Sequence, residues 1–168
     1  DEAQTRGGLQ GTNGSTAADL TFDPRTSRER PFVFRMCASD EVMGALLAEF
    51  AVERLGARRA ALLFEIGRTY SARLARTFTA RFRDRAAGRE VEEFHYLALE
   101  TDFRPQLRRI QEYRPDVIFL PGSFPDATLV AAQSRSSATK RAPGAACSAF
   151  ENASAFLQPS TLARNELS

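Results

Sequence analysis

The chain has 168 residues, 43% of them hydrophobic and 26% charged, with a formal net charge of +2. This is the balance of a globular domain able to bury a core, and it excludes the strongly charged, low-hydrophobicity chains that stay unfolded. No apolar run approaches the roughly 18–20 residues that cross a bilayer, and DEAQTRGGLQGTNGSTAADL at the start has neither the basic opening nor the apolar stretch of an export signal.

In chain order, residues 1–30 are rich in Gly, Thr, Ser and Asp without periodicity, and are expected to be a disordered or loosely attached lead-in. Order is expected from Pro31. Phe32, Val33 and Phe34 form a short extended segment, and Ser39 is placed to cap a helix opening with Asp40 and Glu41. Leu46, Leu47, Phe50, Ala51 and Leu55 are its expected inner face, and Gly56 ends it. Ala60 to Phe64 is a continuous apolar run, the mark of a strand covered on both faces. A loop over 65–69 leads to a helix from about Tyr70, with Leu74, Phe78 and Phe82 at helical spacing and Gly88 beyond its end. Glu90 to Leu97 reads as a strand nearer a sheet edge, with Val91, Phe94 and Tyr96 inward.

Thr101 is the expected cap of a further helix, striped by Phe103, Leu107 and Ile110, with Pro105 tolerable in its first turn. Val117 to Leu120 is a second fully buried strand, followed by a turn over 121–126 and a helix over Ala127 to Gln133. Strands alternating with helices at this spacing imply right-handed crossovers and a parallel sheet with helices on both faces, so the fold class is α/β, a Rossmann-like three-layer lobe. The lobe is expected over 31–133. From Ser134 to Ser168 the periodicity dissolves, and the expectation is an irregular or disordered tail that leaves the sheet incomplete. Val117 to Leu120 would then be an uncovered edge strand that favours association.

Chemistry-bearing residues are sparse. His95 has no partner in sequence and reads as structural, Cys37 and Cys147 are too far apart for a local metal motif, and Glu100 with Asp102 reads as a helix-start pair. Arg68, Arg73, Arg76, Arg81, Arg83 and Arg85 crowd one helix without the interleaved aromatics or motif of a nucleic-acid surface, so they read as a solvated face. Dinucleotide and phosphate loops, the nucleophile elbow and metal-spaced His/Cys clusters are all missing from the sequence, and neither enzyme activity nor a cofactor is expected. In open α/β sheets ligands gather beyond the carboxyl ends of the strands, which is where Tyr70 lies.

Four blocks carry a family resemblance. RPFVFRMCASDEVMG is similar to the entry "RPYVFR...SD...QG", with Met43 at the glutamine. LLFEIGRTYSARLARTF resembles an "LYD" strand end followed by a "YS.GL...F" block, with Phe64, Glu65, Tyr70, Ser71 and Leu74 in register. TDFRPQLRRIQEYRPDVIFLPG is similar to "TDF..QL..I....PDVIFLPG", and SFPDATLVAAQ to "YYPEAALIAKQ". Together they resemble the second lobe of type I periplasmic binding proteins, the Leu/Ile/Val-type substrate-binding components of ABC transporters, over about three-fifths of the chain. The resemblance implies a lobe that closes on an amino acid or related small solute by hinge motion, a permease partner in an intact protein, and a periplasmic location. It further implies that Tyr70 is a ligand-facing aromatic and that Ser123 and Phe124 fall where the family has paired tyrosines. A second lobe alone offers half a cleft, so weak or no ligand binding is expected of a partial copy. A ligand-sensing regulatory domain of the same fold and an unrelated flavodoxin-like enzyme domain are the alternatives.

Overall fold

The computed structural model describes residues 6–85, 88–138, 147–150 and 154–157. Its centre is a five-stranded sheet in the order β6-β5-β7-β9-β8. Strands β5 (Arg59–Glu65), β6 (Glu90–Tyr96) and β7 (Val117–Pro121) run parallel, while β9 (Ser154–Leu157) and β8 (Cys147–Phe150) continue the sheet antiparallel. The fold is the expected α/β lobe with a parallel core, and β6 lies at one edge of the sheet, as expected.

Period-2 alternation explains why β5 and β7 read as unbroken apolar runs. Ala60, Leu62 and Phe64 with Val117 and Phe119 face one layer, and Ala61 and Leu63 with Ile118 and Leu120 face the other. The first layer is α1 (Asp40–Glu53) and α2 (Thr69–Asp84), the second α3 (Arg104–Tyr113) and α4 (Phe124–Ala138). Phe78 of α2 stacks on Phe82 and on Phe119 at 5.5 and 4.6 Å between centroids, all three fully buried. Asp116, just before β7, accepts from the amides of Arg58 and Arg59 at 2.8 and 2.9 Å, which fixes β5 and β7 in register at their amino ends.

Several expectations are corrected. The inner face of α1 is only partly the expected one, with Ala51 buried and Leu47 and Leu55 packed against the core, but Leu46 and Phe50 57% and 44% exposed and Gly44 and Ala48 inward in their place. The cause is close helix approach: a Cβ at Gly44 would stand 3.0 Å from Thr77 Cβ and 3.1 Å from the Leu74 carbonyl oxygen, so α1 turns its small residues to α2. The cap of α3 is Phe103 rather than Thr101. The Gln133 side chain pins that loop, accepting from Phe103 N at 2.8 Å and donating to Thr101 O at 2.7 Å.

The segments expected to lack structure also differ. Helix α4 starts at Phe124 and runs past Gln133, and β9 pairs along β7 from Ile118 to Pro121, so β7 is not an edge. In the lead-in, β1 (Gln10–Thr12) pairs in parallel with β4 (Val33–Arg35), and β2 (Phe22–Asp23) pairs with β3 (Arg28–Glu29). These are backbone pairings that need no side-chain periodicity, which is why composition hid them.

The stacked phenylalanines set the first prediction. Phe78→Ala is expected to lower the unfolding free energy by ~3–5 kcal/mol, and Leu46→Ala on the exposed side of α1 to change it by no more than ~0.5 kcal/mol, both read by urea denaturation.

Candidate functional site

The amino ends of α1 and α2 lie beneath the lead-in, and a cavity of about 380 Å³ opens between them, lined among others by Ser15, Thr16, Asp19, Asp40, Tyr70 and Arg73. Its volume is in the ~300–1,000 Å³ range of small-molecule sites. The lead-in is held over it from three directions. Arg35 of β4 donates to Ala17 O at 2.7 Å, the Asp40 amide donates to Thr16 O at 2.9 Å, and Arg73 of α2 grips Asp19 with two bonds of 2.9 and 3.2 Å. A short 3-10 turn, Ala18–Leu20, presents Asp19 to that guanidinium.

Asp40 is the chemically unusual member. Ser39 caps α1, accepting from Val42 N at 3.3 Å, and this places Asp40 in the first helical turn. An acid there is ordinary, but this one is 1% exposed and its Oδ1 has no hydrogen-bond partner among the described residues. Burial pushes its pKa up, and a hydrogen bond from the Thr16 side chain only partly offsets the loss of water. An open carboxylate oxygen withdrawn from solvent is costly unless a donor or cation meets it.

Tyr70, the second residue of α2, is half-buried, packing its ring against the α1–α2 core layer while lining the cavity. Arg73 is on the next turn. Its charge lowers the Asp40 pKa slightly and Asp40 in turn raises that of Arg73, so the two groups sense each other across the site.

Ser123 lies elsewhere, beyond the carboxyl end of β7. Its hydroxyl donates to Asp126 Oδ2 at 2.6 Å, and the buried Tyr96 hydroxyl donates to the same oxygen at 3.0 Å. Burial and the adjacent carboxylate push the Tyr96 phenol well above its ordinary value. A Cβ at Gly122 would sit 2.8 Å from the Tyr96 oxygen, so any side chain there requires the Tyr96 hydroxyl to shift. Ser123 does not line the Tyr70 cavity. The Phe124 side chain lies outside the described residues, as do those of Cys147 and the tail. His95 makes an edge contact with Phe64 at 4.6 Å on the sheet margin.

Thr16, Asp19, Asp40 and Arg73 were not legible as site residues. Asp40 carried the signature of an ordinary helix-start acid. For Arg73 a signal existed, because it occupies the glycine of the "YS.GL" block.

No protein-family model and no curated protein sequence matches the chain. Solved structures do. A leucine-binding protein, LivK, from Thermotoga maritima is 30% identical over 68% of this chain and 32% of its own length, with a TM-score of 0.60. An ABC transporter substrate-binding protein from Sphaerobacter thermophilus is 26% identical over 83% of this chain and 38% of its own, at 0.69. The branched-chain amino acid substrate-binding protein LivJ from Streptococcus pneumoniae, solved with isoleucine, is 20% identical over 80% and 36%, at 0.67. The chain thus spans about a third of the length of the structures it matches.

Asp40 generates the second prediction. Its folded pKa lies above the unfolded value, so the folded state holds a proton that the unfolded state releases, and stability falls as pH rises from about 3.8 through the raised value. Asp40→Asn is expected to be more stable than the parent near neutral pH, with the difference vanishing below about pH 3.8, measured as urea midpoints across pH.

Proposed function

We propose, on the premise that this chain has the fold of a lobe of the type I periplasmic binding proteins and resembles there the branched-chain amino acid substrate-binding proteins of ABC transporters, that it is a solute-binding component taking a small amino acid in the Tyr70 cavity. The observation that carries this reading is the open, buried oxygen of Asp40.

A ligand ammonium is the group that oxygen lacks. It would give the carboxylate a charge-assisted hydrogen bond in a site shielded from water, where such bonds are strongest. The Tyr70 ring offers a flat apolar wall for an aliphatic side chain and an electron-rich face for the ammonium. The hydroxyls of Ser15 and Thr16 add short polar contacts on the lead-in side. The parts that meet the solute come from segments far apart in sequence, the lead-in and the starts of two helices, which suits a site that hinge motion opens and closes. A permease partner and a periplasmic location belong to the same reading. Ser123 and Phe124, after β7 of the same sheet, stand apart from the Tyr70 cavity and would meet a solute only from a partner lobe closing over the strand ends.

Isothermal titration with L-leucine, L-isoleucine, acetamide and benzoate tests this. Saturable binding of the amino acids is expected, tightening as pH rises through the Asp40 titration. Asp40→Asn is expected to weaken it at least ~10-fold, the loss of one charged hydrogen bond. Equal binding of acetamide or benzoate, or amino-acid binding that Asp40→Asn leaves intact, would contradict the proposal.

A further inference from the structure

We infer that Arg73 is a specificity-determining residue for the solute carboxylate, and that Asp19 is its built-in competitor, an intramolecular carboxylate that the solute must displace. This rests on the solute-binding reading of the Tyr70 cavity.

The cavity holds charges of both signs. Asp40 presents a buried carboxylate oxygen with no partner, and Arg73 presents a guanidinium whose side chain is 30% exposed and lines the same space. A free amino acid carries a matching pair, an ammonium and a carboxylate on one carbon. With its ammonium on Asp40, its carboxylate lies within the small volume that Arg73 borders. Arg73 sits one turn into α2, as its fifth residue.

That anionic position is already filled. The Asp19 carboxylate meets both terminal nitrogens of Arg73, at 2.9 and 3.2 Å, in the bidentate fork that a free carboxylate would make. Asp19 is 47% exposed at its side chain, and exposed pairs of this kind are worth only ~0.2–1 kcal/mol. A ligand carboxylate that is held at its other end by Asp40 therefore competes on favourable terms. Exchange would free the 3-10 turn from α2 while the Arg35 bond to Ala17 still holds the strap to β4. Solute entry is thereby coupled to release of one of the tethers that hold the lead-in. The residue is particular to this chain in one respect, because its resemblance block has glycine here and offers no cation.

The test compares L-leucine with L-leucinamide, which keeps the ammonium and lacks the carboxylate, on the full 168-residue chain by isothermal titration. Asp19→Asn is expected to tighten L-leucine about fivefold, the scale of one exposed ion pair, and to leave L-leucinamide within about twofold. Arg73→Gln is expected to weaken L-leucine about tenfold and to spare L-leucinamide; it carries the test alone if Asp19→Asn lowers the folded fraction seen by circular dichroism. Wild-type binding of L-leucine that Arg73→Gln does not weaken, or that a folded Asp19→Asn leaves unchanged or weakens, overturns the Arg73 assignment while leaving the function standing. A ratio of the two ligands that does not move in Arg73→Gln does the same. Failure of every variant and of the parent to bind L-leucine overturns the solute-binding reading itself.

Discussion

Burial of β5 on both faces is the constraint from which the rest of the structure follows. Ala60, Leu62 and Phe64 need one helical layer, and Ala61 and Leu63 need another. Each layer takes one helix from a crossover between parallel strands, α2 between β5 and β6 and α3 between β6 and β7, and α1 and α4 complete the two layers. Once both faces are covered, the strand ends are what remains open to a ligand. The carboxyl end of β5 delivers α2 and Tyr70, and that of β7 delivers Ser123. Removing the stacked phenylalanine centre would loosen the platform on which both stand.

Above that apolar platform the site is electrostatic. The ties that fasten the lead-in across the amino ends of α1 and α2 include bonds of different kinds: a guanidinium to a carbonyl, an amide to a carbonyl, and a guanidinium to a carboxylate. The cover they form takes Asp40 out of water without giving its Oδ1 a partner. Cores do not leave such groups open without cost, and in the proposed function the solute ammonium is the donor that meets it. Stability and recognition are thus opposed at one carboxylate.

Much of the scaffold was legible in the sequence because burial on two faces writes an unbroken apolar run, as in Val117 to Leu120, and burial on one face writes a helical stripe, as in Leu74, Phe78 and Phe82. The inner face of α1 was legible only in part, at Leu47, Ala51 and Leu55, because close approach of two helices selects Gly44 and Ala48 by size, against the hydrophobicity that the pattern weighs. The lead-in was hidden for a different reason. Its order comes from backbone pairing and from partners such as Arg35, Asp40 and Arg73 on other elements, which no local window contains. Within the site, position alone pointed to Tyr70. The meaning of Asp40 depends on a segment some 24 residues earlier folding over it, and Thr16 had read as part of an unstructured stretch. Ser123, read by its place after β7, is occupied by Asp126 and stands apart from the cavity.

A crystal structure of the chain grown with L-leucine tests the central claim most directly. The account predicts the ligand ammonium at about 2.7–2.9 Å from Asp40 Oδ1, the length of a charge-assisted hydrogen bond, with the aliphatic side chain against Tyr70. Leucine bound away from Asp40, with Oδ1 still open or filled by water, would contradict it.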